Sequence, residues 1–220
     1  MRYIKKTQLP AALQKTLGDA LKNNIKWSDF SEGKAELRKC LEKEQSGLCA
    51  YSEVSLTEYD FHIEHIKPKG VSQYAHLRFD YHNLLASAPK NQGDVADPSD
   101  LFGGHKKGNR YDEQLFISPT KKDCARYFQY SPSGDIQPKN GLKAHDIDRA
   151  NKTIECLGLQ CQLLKTKRQK LFGIINAQLE HFINQPESLR DYLNDYFSVD
   201  SNNKLKPFQS LVKQISVGDQ

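Results

Sequence analysis

The chain has 220 residues, 37% hydrophobic and 27% charged, with a formal net charge of +5. That balance excludes a disordered chain. No apolar run approaches the roughly 20 residues of a membrane-spanning helix, which excludes membrane insertion by a helix and leaves no membrane partner. The charge suits phosphate-rich partners and equally a soluble protein with spare lysines.

Residues 10–24 predict a helix, with Pro10 at its start and Leu13, Leu17 and Leu21 on one stripe. Ser31 to Glu44 predicts a second, capped by Ser31, with Leu37, Cys40 and Leu41 at helical spacing. Cys49–Glu53 and Tyr59–Ile66 are short and rich in aromatic and β-branched residues, the pattern of a small hairpin. Residues 67–79 read as loop around Pro68 and Gly70, and Tyr81–Ala88 as the start of a short helix. Residues 89–114 are irregular and rich in Gly and Pro, and a connection that long is usually functional. Tyr127–Tyr130 and Ile136-Gln137, around Ser131-Pro132-Ser133-Gly134-Asp135, predict a hairpin. From Ala144 the chain reads helical, with an apolar stripe of Leu164, Leu171, Ile175, Leu179 and Phe182, and a further helix from Pro186. The expected fold class is α+β, mostly helical around a small αβ insert. It divides into N-terminal helices (1–45), the insert with its long loop and hairpin (46–143) and a helical region (144–220).

The five cysteines are odd in number and scattered, and they predict no disulfide framework. The N-terminal Met-Arg-Tyr-Ile-Lys-Lys lacks the apolar segment of a signal peptide, so the expected compartment is the cytoplasm.

The densest polar cluster runs from Phe61 through His62-Ile63-Glu64-His65 to Lys69, with Asn83 eighteen residues after His65. Phosphodiester cleavage needs a group that takes a proton from water near neutral pH, and histidine suits it. It also needs a divalent cation against the charge that grows on the phosphate and leaving oxygen. An adjacent carboxylate and histidine, followed by Asn or His ligands, supplies that set.

The order His-Ile-Glu-His-x-x-Pro-Lys, then Asn-Leu-Leu at 83–85, resembles the HNH (ββα-metal) endonuclease signature. More narrowly it resembles the PtuB-like HNH subunits of Septu anti-phage systems and their retron-associated relatives. Cys49-Ala50-Tyr51-Ser52-Glu53 stands where that group has Cys-Ala-Tyr-Cys-Glu. Gly104–Asn109 matches its Gly-His-Lys-Lys-Gly-Asn element, and further matches carry the likeness over residues 45–170. The resemblance implies a ββα-metal module and a nuclease effector of anti-phage defence. It implies His65 as general base, Glu64 as ligand of a divalent metal (Mg²⁺ or Mn²⁺, with Zn²⁺ open at the catalytic site) and Asn83 as the brace of the loop holding His65. The last ligand is His105 or Asn91. The implied partners are a nucleic-acid substrate, DNA or RNA, a PtuA-type ATPase, and in a retron setting a reverse transcriptase with its RNA–DNA product.

The chain departs from the group's structural zinc site: Ser52 replaces one cysteine and the second pair is missing, so no structural zinc is expected. The hairpin is then expected to rest on Tyr51, Tyr59, Phe61 and Phe79. His62 shares a strand face with Glu64 and reads as a structural hydrogen-bonding residue or a further ligand. Lys67, Lys69, Lys106 and Lys107 are candidates for phosphate binding or an ordinary solvated face. The rival function is a degenerate HNH scaffold that binds nucleic acid or the ATPase without cutting. A metalloprotease is disfavoured because no His-Glu-x-x-His is present.

Overall fold

Helix α1 (Ala11–Lys22) follows Pro10 as predicted and buries Leu13, Leu17 and Ala20, whereas Leu21 stays 42% exposed. The buried stripe therefore ends one residue earlier than the leucine spacing suggested. Helix α2 (Lys34–Glu44) buries Leu37 and Leu41. It is entered through Gly33 at φ 73°, not through a Ser31 cap, and a Cβ there would come within 2.8 Å of Leu13 Cδ1. Only glycine suits that close, left-handed approach. These relations come from a computed structural model that describes residues 1–217.

The first hairpin is not the expected one. Cys49–Glu53 forms a turn, with the Cys49 N–H donating to Val54 O (2.9 Å) and the Glu53 N–H to Cys49 O (3.1 Å). Only Leu48 and Ser55 pair across it, as an isolated bridge. Glu53 lies at φ 61°, and its carboxylate turns inward to the Met1 ammonium (2.9 Å) and the Ser210 N–H (2.8 Å). After the short helix α3 (Leu56–Tyr59), strand β1 (His62–His65) pairs antiparallel with β2 (Leu84–Ser87), His62 opposite Ser87 and His65 opposite Leu84. The helix expected from Tyr81 is one 3₁₀ turn, Tyr81–Asn83, before β2. All four β2 residues are buried, and a short run buried on both faces cannot be told from a helix by periodicity.

The outer edge of β2 is closed from α2. Gln45, fully buried, accepts from the Ala86 N–H (2.8 Å) and donates to Ala86 O (2.9 Å) and Leu48 O (2.8 Å). Its side-chain amide thus mimics a neighbouring strand. Tyr51, Phe61 and Phe79 are buried in the surrounding core as expected, and Tyr59 packs partly buried against it.

Within the long irregular stretch lie two 3₁₀ turns and a short helix α4 (Gly103–Lys107). The predicted second hairpin is present as β3 (Phe128–Tyr130) and β4 (Ile136–Pro138). Four helices follow: α5 (Ala144–Leu157), α6 (Gln162–His181), α7 (Pro186–Phe197) and α8 (Gln209–Val217). Of the α6 stripe, Leu164 and Ile175 are fully buried, while Leu171 and Leu179 pack from the core's margin. Arg168 is buried on the same helix and donates to Gly134 O (2.7 Å) and Leu159 O (2.6 Å), tying α6 to the β3–β4 turn. The whole is α+β, with about half of its residues helical, and its buried apolar side chains form one core cluster.

Candidate active site

The β1–β2 hairpin and α4 converge on a cleft of about 190 Å³ lined by His62, Glu64, His65, Pro68, Lys69, Gln92, Gly104, His105, Gly108 and Asn109, with Ile63. Helix α4 is anchored by its own start: the Gly104 N–H donates to Ser87 Oγ at 2.9 Å.

His65 is 3% exposed, and its Nε2 lies 3.0 Å from Arg78 O. A carbonyl can only accept, so Nε2 carries the proton and Nδ1 carries a lone pair. Nδ1 is buried and has no partner. Burial, then Lys69 and Lys107, depress the His65 pKa to about 4 against the pull of Arg78 O and Glu64. The imidazole is therefore neutral at pH 7, the form that accepts a proton.

Asn83 is buried and clamps the loop that follows His65. Its Oδ1 accepts from the Lys67 N–H (2.8 Å), and its Nδ2 donates to Lys67 O (3.0 Å) and Leu77 O (3.2 Å). The Ile66 N–H donates to Asn83 O at 2.9 Å, so backbone and side chain close the same loop. Asn83 sits in the 3₁₀ turn capped by Asp80, and is not a cap itself.

Glu64 lies with Oε1 2.8 Å from Lys107 Nζ and Oε2 3.4 Å from His62 Nε2. Burial would raise its pKa, but His62 and the Lys107 ammonium outweigh that and hold it below the usual carboxylate range. His62 Nδ1 donates to Pro89 O (2.8 Å), which leaves Nε2 to face Glu64. His105 Nε2 donates to Lys90 O (2.8 Å), and its ring stacks on that of His62 at 4.1 Å between centroids.

Gly104 completes this corner, since a Cβ there would fall 2.4 Å from Glu64 Oε2 and 2.5 Å from His62 Nε2. Glu64 and His62 thus aim an oxygen and a nitrogen into space that any side chain would fill. This donor pair fits a divalent cation of the kind that keeps water or substrate oxygens as its other ligands. Among the described residues no group of three His, Cys, Asp or Glu side chains is arranged to hold a metal ion.

The other expected residues separate. His105 lines the cleft; Asn91 does not, and its exposed side chain turns to Asp94 at 3.4 Å. Lys69 lines the cleft, while Lys67 stands outside it with its ammonium paired to Glu113. Lys106 faces a different groove with Ser99, Asn151 and Glu155. Lys107 is no surface cation: it is 1% exposed, because its ammonium is the internal counter-charge of Glu64. The sequence reading quoted Gly104 only as the start of the Gly-His-Lys-Lys-Gly-Asn element and missed its part in the corner, and it missed Arg78. The paired glycines 103–104 at the start of α4 were the available signal for the first, whereas nothing local marks a backbone carbonyl that serves a distant histidine.

A β-hairpin carrying Glu64 and His65 on its first strand, an asparagine clamp at the loop's end and a short helix laid across them is the arrangement of HNH, or ββα-metal, proteins. No protein-family model matches the chain. It is similar to the "Retron Vc95 putative HNH endonuclease" of Vibrio cholerae serotype O1 biovar El Tor, 33% identical over 146 residues, 64% of this chain and 66% of that protein's length. It is also similar to Septu protein PtuB of Bacillus mycoides (strain KBAB4), 23% identical over 223 residues, 82% of this chain and 73% of that one. The chain thus resembles HNH nucleases and, among them, PtuB. It spans just under two thirds of the length of the retron relative.

Proposed function

We propose that this protein is a metal-dependent HNH endonuclease that hydrolyses nucleic-acid phosphodiester bonds as the effector of an anti-phage defence system. The observation that carries the reading is the buried, unpartnered Nδ1 of His65, on a ring that Arg78 O orients and that lines the same cleft as Glu64. In this reading His65 Nδ1 takes the proton of the attacking water, and Asn83 keeps the loop behind it closed. Glu64 and His62, with His105 beside them, would hold a divalent ion, Mg²⁺, Mn²⁺ or Zn²⁺. When bound, that ion supplies neutralisation of charge on the phosphate and the leaving oxygen. Lys69, which lines the same cleft, would be the residue to meet a phosphate.

The likeness to PtuB supports a PtuA-type ATPase as partner, and the likeness to the retron protein supports a reverse transcriptase with its RNA–DNA product. Among the described residues no helix is long and apolar enough to cross a membrane.

The deciding experiment incubates the full chain, alone and with its genomic neighbours, with plasmid DNA and total tRNA in Mg²⁺, Mn²⁺ or no metal. Cleavage that requires metal and falls about 10²–10⁴-fold in folded His65→Ala supports the reading. Equal cleavage by that variant sinks it. One observation favours the rival, a scaffold that binds without cutting: Lys107 already places a protein cation on Glu64. Metal-independent binding of nucleic acid with no cleavage under any of these conditions would favour that reading.

A further inference from the structure

We infer that Trp27, from the linker between α1 and α2, is a positioning residue for His65 and holds the imidazole in the orientation that keeps Nε2 on Arg78 O and Nδ1 unpartnered. The inference rests on the proposed role of His65 and extends its machinery to a segment some forty residues earlier in the chain.

Trp27 meets the His65 ring edge-on, with centroids 4.5 Å apart and planes at 83°. The indole is itself backed by Phe79 (5.5 Å) and Phe30 (5.7 Å), which pack on each other at 5.1 Å. Lys34 reaches over it and donates to Trp27 O at 3.5 Å. The same linker acts on His65 a second time: Ile25 O accepts from Arg78 Nη1 at 2.8 Å, while Arg78 O accepts from His65 Nε2 at 3.0 Å. A closed circuit results, from His65 to Arg78, to Ile25, to Trp27 and back.

Each half restrains something the other does not. The hydrogen bond to Arg78 O selects the tautomer, but a ring held at one atom can pivot about that bond. The indole, packed at right angles to the imidazole, blocks the pivot. Without it the ring could turn away from the carbonyl, and either nitrogen could then carry the proton. Trp27 does not line the cleft, so it acts on catalysis only through His65. It is also the single tryptophan of the chain.

The test uses the full chain with Trp27→Ala, Trp27→Leu and Trp27→Phe. For Trp27→Ala, kcat should fall by about tenfold or more with KM unchanged, since substrate contacts are untouched and only the base is misplaced. Trp27→Phe, which restores an aromatic ring, should recover most of the loss. The ¹⁵N shifts of the His65 ring give a readout that needs no activity: one Nε2–H tautomer in the wild type and Trp27→Phe, a tautomer mixture in Trp27→Ala. Trp27→Leu keeps apolar volume without the aromatic ring, and should give the mixture even if the alanine variant folds poorly. Wild-type kcat in folded Trp27→Ala, or a single tautomer in both Trp27→Ala and Trp27→Leu, would overturn the inference. A wild-type chain that cuts nothing would count against the proposed function, while the ring shifts would still decide the role of Trp27.

Discussion

Gly104→Ala is the sharpest probe of the cleft, because it adds one methyl group and nothing else. The new Cβ would stand 2.4 Å from Glu64 Oε2, 2.7 Å from Glu64 Cδ and 2.5 Å from His62 Nε2. Ordinary contact begins near 3.4 Å, so the Glu64 and His62 tips must each retreat by about 1 Å, a misplacement that costs on the order of 10²-fold in rate. Stability should change far less. Alanine is favoured over glycine within a helix by roughly 0.5–1 kcal/mol, against an overpacking cost of about 1–3 kcal/mol. At this chain length the difference amounts to a few degrees in Tm, on the order of 2–4 °C per kcal/mol. The assay pairs the rate of the proposed metal-dependent cleavage with a melting curve and a Mn²⁺ titration. Gly173→Ala is the control: it too lies in a helix, with nothing within 4 Å of the added Cβ, and should leave cleavage intact. If Gly104→Ala cuts and binds Mn²⁺ like the wild type, Glu64 and His62 do not form the cation corner and the site assignment is wrong.

Asn83→Ala removes acceptor and donors at once and strands the Lys67 N–H, Lys67 O and Leu77 O; a loss of about 1–3 kcal/mol is expected, with slower cleavage per folded molecule, and an unchanged denaturant midpoint would contradict the clamp. Arg168→Met leaves Gly134 O and Leu159 O without donors inside the core, so Tm should drop by several degrees while kcat, measured below the transition, stays at the wild-type value; a loss of kcat would mean that α6 takes part in the site. Ile183→Asp tests docking of the helical region onto the proposed PtuA-type ATPase: Ile183 is 76% exposed, so the variant should melt normally but co-purify poorly with such an ATPase, and unchanged co-purification would rule out this face as the interface. Deletion of the C-terminal helices is no substitute for this variant, because Leu211 and Val212 of α8 are fully buried and the fold would be lost with them.

The parts of the site legible in the sequence are those whose meaning is local. Glu64 and His65 are adjacent, and Asn83 opens an apolar run, so type and order alone singled them out. The hairpin was mispaired because β1 meets β2 across a loop of eighteen residues, 66–83, while the nearer aromatic segment around Tyr51 looked equally strand-like. Burial settled the matter: Leu84–Ser87 is enclosed on both faces, and alternation, the usual mark of a strand, disappears there. Lys107 was misread for a related reason. In a run of Gly-His-Lys-Lys-Gly nothing tells a solvated lysine from a buried one, and its place was set by Glu64, forty-three positions earlier. Trp27, Gln45 and Arg168 act on residues far off in sequence, where periodicity carries no information.

These long-range contacts explain how so small a hairpin can hold a reactive geometry. Two four-residue strands are marginal on their own in water. Here β2 gains a surrogate neighbour in the Gln45 amide, which meets both the N–H and the C=O of Ala86. The start of β2 is pinned as well, with Lys6 Nζ donating to Leu84 O (2.9 Å) and to Glu44 Oε1 (2.7 Å) while Tyr81 OH donates to Glu44 Oε2 (2.8 Å). An unpartnered imidazole nitrogen and a buried carboxylate are costly groups to enclose. They persist where the surrounding structure over-determines their positions, and the N-terminal segment supplies much of that constraint through Lys6, Trp27 and Gln45. The proposed catalytic pair, Glu64 and His65, is contiguous in sequence, whereas the residues that hold it in place come from segments far from it.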